Sequence, residues 1–276
     1  MIKRNNSARI FTYLFLGIIT FVSIYPLYFA FISSFKNLAE YTQSNTAFPA
    51  SMNLENYAYV FRNMEFSRFI LNSIITVTTG MVLYIIICNA AGFALGLLRF
   101  RFKLSIFSFI LFFQIFPQMV IAAQVFRICS KIGLMNSYIG LVLVWTAYFA
   151  PFGTYIMSTY YATIPRSMIE SARIDGAGVF RQLFSIMMPM ATPMIGTIGI
   201  VGSLAMWTEL PFSLLLISEP AKRPLSLGIA IMKGEHGIPV PVLSAAILVS
   251  AAIPLILYFI FQKTIHMGST AGAVKG

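Results

Sequence analysis

Residues 69–103 read FILNSIITVTTGMVLYIIICNAAGFALGLLRFRFK. The first thirty carry no Lys, Arg, Asp or Glu, and the last five carry Arg99, Arg101 and Lys103. An α-helix needs about 20 apolar residues to cross a bilayer core of about 30 Å. A run of this length, closed by a tight basic cluster, reads as a membrane span with a stop signal.

Five further runs have the same character: 10–34, 104–126, 138–162, 190–217 and 240–262. Their connections are short except for residues 35–68, 163–189 and 218–239. The expected fold is an all-α polytopic membrane protein of about six transmembrane helices, with residues 1–276 forming one membrane domain. The opening MIKRNNSARIFTYLFLGIITFVSIYPLYFAF has the basic flank of a signal peptide. Its apolar run is a full span long, however, and no small-residue cleavage site follows, so it reads as an uncleaved first span.

Composition agrees. The chain is 58% hydrophobic and 10% charged, against about 25% charged residues in soluble domains. The formal net charge of +11 comes from basic residues scattered between apolar runs. That pattern excludes a nucleic-acid-binding stripe and suits the loops of a membrane protein. With six spans both termini share a side. That side holds Lys3, Arg4, Arg9, Arg99, Arg101, Lys103, Arg166, Arg173, Arg181, Lys263 and Lys275, eleven of nineteen basic residues. The excess assigns both termini, and segment 163–189, to the cytoplasm.

Cys88 and Cys129 lie in or beside apolar runs and read as small buried hydrophobes. Gly92 and Gly96 form a GxxxG, and Gly196, Gly199 and Gly202 recur at helical spacing, both suited to close helix approach in lipid. Phosphate-binding loops, dinucleotide fingerprints, HExxH, GxSxG and paired CxxC are absent from the sequence, and the six-span topology separates His236 from His266. No catalytic or metal-binding constellation emerges, and the chain reads as unable to power a reaction or transport by itself. Glu209, in MWTELPF, falls near the end of the fifth run. Counted along that helix it reads as a carboxylate snorkelling to headgroups or water, or as a polar group at the mouth of a translocation path. Trp207 reads as an interfacial anchor or an aromatic platform for a ligand.

The charged segment TIPRSMIESARIDGAGVFRQLFSIMMPM, residues 163–190, has its own architecture. Pro165 suits a helix start. Arg166 or Arg173 can neutralise Glu170, while Met168, Ile169 and Ala172 form an apolar side. Gly176 or Gly178 can take positive φ and end that helix. Val179, Phe180, Leu183 and Phe184 then define the apolar face of a second helix, with Arg181 and Gln182 opposite. The expected product is a rigid helical hairpin outside the bilayer.

These residues resemble a known family. Glu170, Ala172, Gly176, Ile186 and Pro189 match in register the E-A-A-x3-G-x9-I-x-L-P pattern of the EAA loop of binding-protein-dependent ABC importers. Ser171 stands for the first Ala of the pattern and Met188 for its Leu. ARIDGAG, NLENYAYVF, the W-x-E of Trp207 and Glu209, and TAGAVKG resemble the carbohydrate-uptake branch, closest to the smaller six-span partner of maltose-type systems. The resemblance implies a type I ABC importer permease in a bacterial cell membrane. Its implied partners are a second homologous permease, two ATP-binding subunits that hold ATP and Mg, and an extracytoplasmic binding protein delivering a sugar or oligosaccharide. This chain itself would bind no cofactor. Glu170, Ser171, Ala172, Asp175, Gly176, Ala177 and Gly178 would couple to the ATPase, and the tail Ala271, Gly272, Ala273, Val274, Lys275 and Gly276 would contact it. Trp207, Thr208 and Glu209 would border the translocation path. Segment 218–239 resembles the loop that reaches towards the binding protein. The alternatives are a permease of the same kind for a polyamine, peptide or glycerol-phosphate, and a stand-alone secondary carrier.

Overall fold

The computed structural model describes residues 6–235 and 237–273. His236 and Val274–Gly276 lie outside the described residues, as do the side chains of His266 and Ala271–Ala273. In chain order the helices are α1 (Asn6–Ser34), α2 (Leu38–Gln43), α3 (Glu55–Asn63), α4 (Phe66–Leu97), α5 (Lys103–Phe113), α6 (Gln118–Lys131), α7 (Tyr138–Tyr161) and α8 (Arg166–Ile174). They continue with α9 (Val179–Arg181), a π-helical turn (Gln182–Met187), α10 (Met188–Met190), α11 (Thr192–Trp207), α12 (Pro211–Leu216), α13 (Leu225–Glu235) and α14 (Val240–Ala273).

Among the described residues, four stretches are continuous helices long and apolar enough to cross a membrane: Arg9–Ser34, Phe66–Leu97, Tyr138–Tyr161 and Val240–Ile260. The expected third span is interrupted at residues 114–117, and the chain bends at Ala191, where the expected fifth span begins. α5 and α6 meet at 100°, and Val179–Met190 meets α11 at 82°; six spans result if each bent pair counts as one. Proline explains both breaks. Pro117 adopts φ −61, ψ 146 ahead of α6, and its ring drives the preceding residue out of helical geometry. Pro189 and Pro193 flank Ala191, where α10 ends and α11 begins, and neither can donate the next helical hydrogen bond.

The chain forms two compact units. In the first, residues 1–67 with 229–252, the expected loop 35–68 is partly helical and internally tied. Asn37 caps α2 by accepting from Glu40 N at 2.8 Å. Asn56 Nδ2 donates to Ser34 O and Lys36 O, each at 2.8 Å. The buried Lys36 ammonium donates to Ser44 O at 2.9 Å and Asn45 O at 3.2 Å, so these carbonyls replace its lost water.

In the second unit, residues 68–228 with 253–276, α4 packs on α7 through small residues. A Cβ on Gly92 would collide with Met157, and one on Gly96 would lie 2.8 Å from both Ser158 O and Tyr161 Cβ. Tyr84 of α4 is enclosed by Gly153 of α7 and Gly202 of α11, since a Cβ on either would strike its ring or hydroxyl. Tyr161 OH donates to Asn89 Oδ1 at 2.8 Å, satisfying two buried polar groups at once. Cys88 and Cys129 are free and buried.

Candidate functional site

Segment 163–190 has the expected order of a helix, a glycine turn and a second helical arm. Pro165 caps α8, its carbonyl accepting from Met168 N at 3.2 Å. Ile169 and Ala172 are buried, while Glu170, Ser171, Asp175, Gly176 and Gly178 are exposed. The helix ends in a Schellman motif: Ala177 N donates to Ala172 O at 2.8 Å, and Gly176 N to Arg173 O at 3.0 Å. Gly176 takes φ +77, which a side chain would resist. Gly178 is extended at φ −65, ψ 165, so the turn belongs to Gly176 alone. Neither Arg166 nor Arg173 pairs with Glu170; an ion pair elsewhere joins Lys222 to Glu219 at 2.8 Å.

The second arm departs from the expected pattern. Leu183 is buried, but Val179, Phe180 and Phe184 are 49%, 78% and 52% exposed. Gln182, expected on the polar face, is buried and donates from Nε2 to Ala177 O at 2.6 Å, while its Oε1 is buried without a partner. The π-turn beginning at Gln182 widens the helix by about one residue per turn, which rotates the face that a regular helix would bury. Ile174, at 86% exposed, and Phe180 leave two large apolar side chains open beside the Gly176 turn.

At the far end of α11, Trp207 is 6% exposed and lines a cleft of about 330 Å³ between α4, α11 and α14, with Thr78, Ser203 and Tyr258 among mainly aliphatic neighbours. Trp207 is therefore enclosed by protein rather than free at an interface. Thr208 is exposed. Glu209 is 4% exposed and does not snorkel. Its Oε2 accepts from Trp145 Nε1 at 2.8 Å, Ser213 N at 3.1 Å and Ser213 Oγ at 3.0 Å; its Oε1 accepts from Phe212 N at 2.6 Å and Gln118 Nε2 at 3.4 Å. Depth along one helix suggested a headgroup partner, and donors from α6, α7 and α12 replace it. Sequence reading passed over Trp145 and Gln118 because their meeting with Glu209 is tertiary.

Segment 218–239 is less open than a free loop. Asn136 Oδ1 accepts from Ser218 N and Glu219 N at 2.7 and 2.9 Å. Asn72 Nδ2 donates to Ala221 O and Arg223 O at 3.0 and 2.9 Å, and Ser73 Oγ accepts from Leu225 N at 2.7 Å. Leu225 and Leu227 are fully buried. Of these backbone groups, Leu225 N is buried and must find a partner, which Ser73 supplies. The tail expectation reaches the helical backbone of Ala271–Ala273 and otherwise falls outside the described residues.

Comparison with known proteins gives this arrangement a context. The sequence profile of the family described as binding-protein-dependent transport system inner membrane component matches residues 88–266. The chain is 32% identical over 254 residues to the sulfoquinovosyl glycerol transport system permease protein of Agrobacterium fabrum, covering 92% of this chain and 89% of that one. It is 31% identical over 226 residues to the trehalose/maltose transport system permease protein of Thermococcus litoralis, covering 81% of each. A chain from the crystal structure of a bacterial ABC transporter involved in the import of the acidic polysaccharide alginate shares the fold, with a TM-score of 0.82 at 21% identity over 96% of this chain and 98% of that one. By the profile match over more than half of its length and these identities, the chain belongs to the family of binding-protein-dependent transport system inner membrane components, as a permease of the ABC importer kind.

Proposed function

We propose that this chain forms, with a second homologous permease, the translocation path for a sugar or oligosaccharide delivered by an extracytoplasmic binding protein. Two ATP-binding subunits, holding ATP and Mg, drive the cycle. Both termini and the hairpin 163–190 face the cytoplasm, a reading supported by the excess of Lys and Arg on that side. The carrying observation is the hairpin. Its Schellman turn is rigid, and it presents Ile174 and Phe180 outward, the form of an anchor that fits a partner's cleft. Glu170 to Gly178 then receive the ATPase's motion, the tail Ala271–Gly276 adds a second contact, and α11 carries displacement to Trp207–Glu209 beside the path. Sugar is favoured because the trehalose/maltose and the melibiose/raffinose/stachyose permeases are named for sugars.

Gly176→Val tests the coupling. A Cβ there meets nothing within 4 Å, so the penalty is the strain of φ +77 on a β-branched residue, about 1–2 kcal/mol. ATP-driven uptake in proteoliposomes of the assembled transporter should be abolished while membrane insertion is unchanged. Normal uptake with normal ATPase stimulation would overturn the docking role.

A further inference from the structure

We infer that Glu209 is a positioning residue that clasps the α5–α6 and α11–α12 breaks of the second unit together, and that its carboxylate does not meet the transported solute. The inference rests on the permease reading above.

The chain leaves helical geometry between α5 and α6, and again between α11 and α12. Gln118 is the first residue of α6 and Glu209 lies in the second break. Gln118 Nε2 reaches Glu209 Oε1 at 3.4 Å, so one carboxylate touches both interruptions. Its remaining capacity is equally committed. Phe212 N and Ser213 N, two of the unpaired amides that open α12, donate to it. Trp145 Nε1, from the middle of α7, donates at 2.8 Å and is itself 1% exposed. The backbone of Glu209 is held as well, its carbonyl accepting from Ser226 Oγ at 2.7 Å. The Tyr148 ring of α7 meets the Phe212 ring edge-on at 5.4 Å, closing the same seam.

Such a set of donors suits a carboxylate and nothing smaller or less basic. Glutamine in its place would aim two N–H groups at groups that are themselves donors, leaving some unsatisfied. With every acceptor direction occupied, no lone pair remains for a sugar hydroxyl. Its consequence for transport runs through neighbours: fixing Glu209 fixes where Trp207 and Thr208 stand, and it holds α12 against α6 and α7 so that these pieces move as one body.

Glu209→Gln, Trp145→Phe and the double variant in the assembled transporter test this. Each single variant should slow uptake at saturating binding protein by about tenfold, with the solute half-saturation and the ranking of solutes unchanged. The double variant should be no slower than the slower single one, since both remove one link. In the isolated full chain, Trp207→Phe leaves Trp145 as the sole indole. Its hydrogen-bond-sensitive ultraviolet resonance Raman band should then move towards a weaker bond on adding Glu209→Gln. If Glu209→Gln impairs insertion, Trp145→Phe carries the test, because it spares the α12 amides. Near-wild-type uptake in both single variants, an unchanged Raman band, or a shift in solute ranking at an unchanged maximal rate would each overturn the inference. The Raman measurement needs no transport, so a wild-type assembly that imports no sugar defeats the proposed function and leaves this inference standing.

Discussion

A Cβ added at Gly92 would collide with Met157 and fall 3.1 Å from Ser158 N. The two backbones are therefore too close for any side chain, and the contact stabilises α4 against α7 through dispersion over a long seam. Gly92→Val should lower the thermal stability of the purified chain by the equivalent of about 1–3 kcal/mol, the cost of overpacking. Gly17→Val, where a Cβ meets nothing within 4 Å, should leave stability unchanged in the same detergent melt. Equal effects at both sites would mean that backbone flexibility, not steric closeness, governs Gly92. The GxxxG spacing made Gly92 and Gly96 visible in the sequence. The enclosure of Tyr84 between Gly153 and Gly202 was invisible, because it joins three helices with no local pattern. Glu209 failed for the same reason: distance along one helix says nothing about donors arriving from Gln118 and Trp145.

The hairpin shows where element-level reading succeeds and where it slips. Its first arm follows from Pro165, the buried pair Ile169 and Ala172, and Gly176, all local signals with a mechanical meaning. Its second arm assumed 3.6 residues per turn, and the π-turn at Gln182–Met187 broke that assumption. Pro189 supplies a physical cause: its ring crowds the carbonyl of the preceding turn and it has no N–H to return, and a wider turn before it relieves the clash. The result exposes Phe180 and buries Gln182. Because Ile174 and Phe180 are exposed on this chain, Ile174→Asp with Phe180→Asp should leave helix content and membrane insertion intact. The same pair should prevent co-purification of the ATP-binding subunits, since truncated hot-spot anchors typically cost 2 kcal/mol or more each. Retained co-purification at wild-type yield would move the docking surface elsewhere on the chain. The broken spans repeat the lesson. Prolines were visible in the sequence, but the 100° and 82° bends depend on what packs around them.

At the scale of the molecule, the membrane class was legible because composition and run length are decided by the solvent, whereas segment 218–239 was not, since Asn72, Ser73 and Asn136 anchor it from distant helices. α1 carries an apolar stretch from Arg9 to Ser34, and 6% of its most apolar window is buried within the chain. The sequence holds no phosphate-binding loop, and its one carboxylate buried among the described residues, Glu209, has its acceptors engaged by neutral donors. Alternating access needs a free-energy source that favours one state over the other; moving a 1:99 population to 99:1 takes about 5.5 kcal/mol of differential binding. The proposed function assigns that source to ATP-binding partner subunits, which leads to a direct prediction. The full chain alone in proteoliposomes should import no sugar, with or without ATP. Adding the second permease, the ATP-binding subunits and the loaded binding protein should produce uptake that stops when ATP is omitted. ATP-independent uptake by the lone chain would identify it instead as a secondary carrier, and would require a coupling site that the Glu209 cluster does not leave free.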